Sequence, residues 1–229
     1  MSHQERPILF SAPMVRAILE GRKTQTRRVV RRANSLVNGG HANAISWSRL
    51  NFAASEIFAD AGPSPAGNPG PYLHVPRPDD DTRHRVYPKA QCAARLWVRE
   101  TWRPFGDRPC SECVGPGNVM YAASADEAEL AIFKFRPSIY MPRWASRILL
   151  EITNVRAQRV QDISEDDAIA EGLRWHPALE AWSAGGDSWP TFTDPRRSFA
   201  GLWDSINASL GYGWDANPWV WAISFRRMP

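Results

Sequence analysis

The chain has 229 residues, 43% of them hydrophobic, which suffices for the core of one large domain or two small ones. No stretch approaches the roughly 18 uninterrupted apolar residues of a membrane span, and three cysteines, an odd number, exclude a disulfide framework. The net charge of +4 is unevenly spread: residues 1–50 carry nine Lys/Arg against two Asp/Glu, and residues 151–229 carry seven against eleven. Either the basic segment is a footprint for phosphate or nucleic acid, or the acidic segment folds back and neutralises it.

The first six residues lack the apolar core of a signal peptide, so the cytoplasm is the default location. Residues 6–11 read as a first strand. Pro13 then suits the first turn of a helix, Met14, Val15, Ile18 and Leu19 recur at helical spacing, and Gly21 caps its end. The run Gly21-Arg22-Lys23-Thr24-Gln25-Thr26-Arg27-Arg28 leaves that helix, and Val29-Val30 leads into a second strand. Lys23 is one of only three lysines in a chain that otherwise uses arginine. By spacing alone the run is a solvated basic turn. The alternative is chemistry, because an ammonium can be pushed toward neutrality by burial and neighbouring cations, whereas a guanidinium cannot.

Residues 33–94 are interrupted by Gly and Pro clusters and read as a loop-rich insertion, not a separate domain. Residues 96–102 have strand composition. Cys110 and Cys113 follow in an irregular stretch; together with Cys92 they fall short of a four-ligand zinc site, and no metal or other cofactor is expected. A short segment lies around Tyr121, and residues 146–155 give the strongest strand signal.

Ser164 caps the next helix, Asp166 and Asp167 favour its first turn, and Gly172 ends it. Glu171 is thus a carboxylate at the electrostatically unfavourable end of a helix, a hint of a separate role. Residues 174–194 form a second insertion. A helix over 195–210 places Phe199, Leu202, Trp203 and Ile206 on one face, and the last strand, 219–225, points Trp219, Trp221, Ile223 and Phe225 to one side. The pattern is α+β and mainly β, a closed or nearly closed sheet whose first and last strands are neighbours.

Most of the eleven tryptophans are packing residues; Trp144 beside Arg143 is the best candidate for a ligand contact, and Trp219 and Trp221 belong to the core. Phosphate-loop, nucleophile-elbow and zinc-protease signatures are absent, and no histidine has an interpretable setting. Acid–base work would fall to Lys, Glu or Asp.

Strand, short helix and Gly21-x-Lys23-x-x-Thr26-Arg27-Arg28, with the later run from Ser164 to Gly172, resemble the ASCH-domain family of the PUA-like superfold. Residues 96–102, 137–147 and 214–221 resemble its longer phage and prophage members. The resemblance implies a single domain over 1–229, a small β-barrel with peripheral helices, and a cleft beside the lysine loop. Some small bacterial members are amidohydrolases that deacylate N4-acylated cytidines with a Lys, a Thr and a Glu, which fall here on Lys23, Thr26 and Glu171. In that role Lys23, made less basic by Arg22, Arg27 and Arg28, deprotonates Thr26, or Lys23 and Glu171 activate a water instead. Arg22, Thr24, Arg27, Arg28, Glu100, Arg143 and Trp144 are the expected substrate-binding residues. The partner is a modified pyrimidine nucleoside or RNA. A non-catalytic RNA-binding module and a phage interaction protein are the alternatives.

Overall fold

A computed structural model describes residues 5–31, 35–37, 50, 52, 57–62, 70–76, 83–90, 94–105, 118–185 and 189–229. The chain opens with strand β1 (Glu5–Leu9), whose alternation buries Ile8 and leaves Leu9 outside. Helix α1 (Ala12–Leu19) has Pro13 in its first turn, buries Val15, Ala17 and Ile18, and stops where Gly21 takes φ +77°. Strand β2 (Gln25–Val29) follows.

Four short strands come next: β3 (Ser35–Val37), β4 (Phe58–Asp60), β5 (Tyr72–Pro76) and β6 (Arg83–Pro88). They form an antiparallel sheet in the order β3-β6-β5-β4. The stretch expected as an irregular insertion therefore holds a sheet. Its Leu73, Val75 and Val86 join the same apolar cluster as Leu150 and Ile152 of the main sheet. The Gly and Pro clusters punctuate strands of three to six residues, too short to show a period of their own.

Strand β7 (Arg95–Arg99) ends earlier than its composition suggests, and Trp102 starts a separate ribbon of β8 (Trp102–Pro104) and β9 (Val119–Tyr121). After helix α2 (Glu127–Ile132) the long strand β10 (Leu149–Arg159) leads to helix α3 (Glu165–Ala170), capped by the Ser164 hydroxyl, which accepts from Asp167 N–H at 3.1 Å. The second predicted insertion contains a hairpin, β11 (Arg174–His176) with β12 (Ala181–Ser183). Helix α4 (Pro195–Asn207) and strand β13 (Trp219–Arg227) complete the chain. On α4, Phe199, Leu202 and Trp203 are buried as the spacing predicts, but Ile206 is 44% exposed.

The main sheet has the order β1-β7-β10-β13-β2; β1 and β7 are parallel and the other neighbours antiparallel. One face carries Ile8, Phe10, Trp221, Ile223 and Phe225 against α1. The other carries Val29 and Val220 against Phe199 and Trp203 of α4. Burial on both faces explains why β13 is apolar on its second side as well.

Among the described residues the sheet does not close into a barrel, and its first and last strands are not neighbours. β1 pairs with β7, β13 with β10 and β2, and the edges β1 and β2 share no backbone ladder. A side chain spans them: the Arg28 guanidinium donates to Leu9 O at 2.8 Å. Arg6 of β1 and Arg28 of β2 share this open seam, a cavity of about 440 Å³, where a continuous ladder would require backbone contact. Cys92, Cys110 and Cys113 lie outside the described residues, as do His3 and His41. No helix among the described residues is long and apolar enough to cross a membrane.

Leu150 sits fully buried in β10, at the centre of the sheet. Leu150→Ala is expected to lower stability by about 2–5 kcal/mol, read from urea unfolding midpoints, because the packed strands around it cannot collapse into the space.

Candidate active site

The turn at Gly21 sends the chain back along the end of α1, where Lys23 N–H donates to Ala17 O at 2.9 Å. Thr24 N–H then donates to Ala170 O at 2.9 Å, and Lys23 forms a single antiparallel bridge with Glu171. Two residues thus join the ends of α1 and α3. Glu171 is the C-cap of α3, and Gly172 follows with φ +100°. A Cβ on Gly172 would stand 2.9 Å from Lys23 Cβ and 3.0 Å from Ala17 Cβ. Glycine is needed there for its backbone angle and for the close approach of Lys23.

Lys23 Nζ donates to Glu171 Oε2 at 2.9 Å and to the Glu171 carbonyl at 2.7 Å. The second contact satisfies one of the carbonyls that a helix end leaves without a partner. Arg27 Nη1 donates to the other carboxylate oxygen, Oε1, at 3.0 Å, and Arg27 Nη2 to Asp167 Oδ2 at 2.7 Å. Asp167 also accepts from Gln25 Nε2 at 3.1 Å and Arg156 Nη2 at 2.7 Å. The Lys23 and Arg27 side chains are wholly buried and that of Glu171 is 4% exposed. The acid at the unfavourable end of α3 is therefore flanked by two cations.

Burial pushes the Lys23 amine below the ordinary lysine range, and Arg28 and Arg27 push the same way; Glu171 opposes by charge and hydrogen bond without cancelling the effect. The sequence assigned that role to the arginines, Arg22 among them. Arg22 instead donates to Glu20 Oε2 at 2.7 Å and to Gly172 O at 2.7 Å. Burial raises the Asp167 carboxyl, but Gln25, Arg27 and Arg156 more than offset it, and the net direction is down.

On β2, Thr26 lies opposite Ile223 and Arg28 opposite Trp221, which places both on the Phe10 face of the sheet, while Arg27 faces the helices. Lys23 Nζ lies 5.7 Å and the Arg28 guanidinium carbon 5.3 Å from the Phe10 ring centroid. A cleft of about 110 Å³ is lined by Thr26, Arg27, Arg28 and Glu171, with Met14 and Leu202 among its apolar residues. Lys23 does not line it. Both hydrogen bonds of the Lys23 amine among the described residues go to Glu171 and none to Thr26.

The remaining predicted binding residues lie elsewhere. The Thr24 side chain is exposed. Glu100 is buried in a two-point pair with Arg147, at 2.9 Å on each oxygen, and burial raises its carboxyl despite that partner. Arg143 pairs with Glu5 at 2.7 Å, and Trp144 packs edge-on against Trp102. None of these lines the cleft. Phe10, Gln25 and Asp167 belong to the site but were not among its expected residues, although Gln25 and Asp167 lie inside the two runs read as motifs; strand parity around Val29-Val30 is the signal that could have separated Arg27 from Arg28. Among the described residues no cluster of three or more His, Cys, Asp or Glu suits a metal ion.

Comparison with known proteins finds no family model, no curated protein and no solved structure that matches the chain.

Two substitutions test the geometry by stability alone. Glu171→Ala leaves the Lys23 and Arg27 charges without their shared partner and is expected to cost about 3–5 kcal/mol, much of it recovered when Lys23→Met is added. Gly172→Ala is expected to cost at least about 1–2 kcal/mol from the left-handed backbone alone. Denaturant midpoints of the single and double variants measure both effects.

Proposed function

We propose that the chain is an ASCH-type amidohydrolase that removes the acyl group from N4-acylated cytidine-type nucleosides through Lys23, Thr26 and Glu171. The observation that carries the reading is the buried Lys23 amine. Two of its positions are spent on Glu171, and the third, a proton in the ammonium and a lone pair in the amine, has no hydrogen-bond partner among the described residues. An amine held away from water and shifted toward neutrality is a group that can accept a proton below the ordinary lysine range.

In the proposed reaction neutral Lys23 takes the Thr26 hydroxyl proton as Thr26 Oγ1 adds to the acyl carbonyl. The tetrahedral intermediate collapses by breaking the C–N bond, and Lys23 passes its proton to the departing exocyclic amine, freeing cytidine and leaving Thr26 acylated. Water then adds to the ester while Lys23 takes its proton; the ester C–O bond breaks, the proton goes to Thr26 Oγ1, and the acid is released. Glu171 has a cation on each oxygen, so it acts as the positioning group for Lys23 and not as the proton carrier. Arg28 supplies the charge that the oxyanion needs. Met14 and Leu202 offer the acyl group an apolar wall.

Incubation with N4-acetylcytidine, followed by chromatography of released cytidine, tests the activity. Lys23→Arg is expected to abolish turnover although it keeps the charge, because arginine does not deprotonate. Turnover by the unaltered chain should rise with pH and level off below the ordinary lysine value of about 10.4, since only neutral Lys23 is a base and burial lowers its pKa. Full activity in Lys23→Arg, or a rate that falls across that limb, would remove Lys23 as the base.

A further inference from the structure

The cleft beside Thr26 measures about 110 Å³, well below the roughly 300–1,000 Å³ of a pocket that encloses a whole small-molecule ligand. It therefore takes one arm of a substrate and leaves the remainder outside. Its lining passes from closed to open: Thr26 and Phe199 are buried, Leu202 is 9% exposed, Ile206 44% and Leu210 53%.

Leu202 and Ile206 stand four residues apart on α4, on one face and about 6 Å along its axis. Leu210 follows four residues later in the 3-10 turn Ala208–Leu210 that continues the helix, before Gly211 turns the chain away at φ +79°. Three apolar side chains at this spacing make a ridge. The helical period calls for Ile206 inside with Phe199 and Trp203, yet nearly half of it is open. Single exposed apolar side chains are ordinary on a protein surface. Ile206 and Leu210 differ in that both line the cleft that holds the Thr26 hydroxyl.

We propose that Leu202, Ile206 and Leu210 select the acyl arm of the substrate, an uncharged chain several carbons longer than acetyl laid along α4, an assignment that rests on the deacylase reading and narrows its substrate. An acetyl group would leave the ridge in water, whereas each further methylene buried on it favours the bound state about fourfold. Arg28 and Arg31 also line the cleft, so an arm ending in a carboxylate is the competing chemistry. Both are already engaged, Arg28 with Leu9 O and the Phe10 ring and Arg31 with the Tyr212 ring, whereas Ile206 and Leu210 are open.

The test compares kcat/KM of the full chain for N4-acetyl-, N4-hexanoyl- and N4-succinylcytidine and, where no turnover is seen, the calorimetric affinities of the same three compounds. The hexanoyl compound is expected to exceed the acetyl compound at least tenfold, and the succinyl compound not to exceed it. Ile206→Ser and Leu210→Ser, both at open positions and checked by unfolding midpoints, should each lower the hexanoyl-to-acetyl ratio at least threefold; either one suffices if the other does not fold. A ratio near one, a preference for the succinyl arm, or an unchanged ratio in a folded variant would overturn the acyl-arm assignment while leaving the deacylase reading in place. Absence of turnover on all three would overturn the deacylase reading instead, and the affinity ratio then decides the arm by the same thresholds.

Discussion

The Glu171 carboxylate, held between Lys23 and Arg27 with almost no access to water, is the constraint on which the rest of the site depends. It joins the turn after α1, strand β2 and the end of α3, segments far apart in sequence. Charges removed from water cost several kcal/mol each, and their attraction compensates only where every lone pair and proton finds a partner. The cluster meets most of that condition by extension: Asp167 takes the second arm of Arg27, Gln25 and Arg156 secure Asp167, and the α3 carbonyl takes another Lys23 proton, while Arg27 Nε and the third Lys23 position have no partner among the described residues. Such an arrangement contributes geometry more than net stability. Gly172 is its steric counterpart, since only a residue without Cβ lets the lysine stem pass so closely.

Much of this was legible in the sequence, for identifiable reasons. Strands β10 and β13 and helices α3 and α4 announce themselves through composition, caps and period, and Glu171 stood out as an acid at the wrong end of a helix. The four-stranded sheet over 35–88 did not, because its strands are short and the turns between them dominate the local composition. The open edges of the main sheet were also hidden. Pairing partners are set by packing of both faces, and neither the parallel β1–β7 pair nor the missing β1–β2 ladder has a local signal. Arg27 and Arg28 look equivalent in a basic run; they differ by strand parity, which becomes readable only when the limits of β2 are known.

That parity divides one strand between two tasks. Gln25, Arg27 and Val29 face the helices, where Arg27 is neutralised and Val29 packs with Phe199. Thr26 and Arg28 face the side of Phe10, and Arg28 lines both the cleft and the seam. The charge asymmetry of the chain resolves along the same line. Lys23 and Arg27 are matched by acids of the C-terminal segment, so folding back neutralises part of the basic N-terminal segment. Arg6 and Arg28 line the seam, where no carboxylate stands among the described residues.

An unclosed sheet ordinarily carries a liability, because exposed edges invite pairing with other chains. Here the two edges are drawn together by the Arg28 contact to Leu9, a side-chain bond in place of a ladder. A backbone ladder would fix the spacing of β1 and β2 at about 4.8 Å and leave no room between them. A side-chain span holds the edges near each other yet leaves a cavity with charge on its walls. The same arginine lines the cleft beside Thr26 and Glu171 and is one of the charges that lower the Lys23 amine, so the two cavities share one guanidinium. An anion on Arg28 would offset part of the positive charge that helps keep Lys23 toward neutrality and so raise its proton affinity, which couples the two cavities through electrostatics without any movement of the backbone.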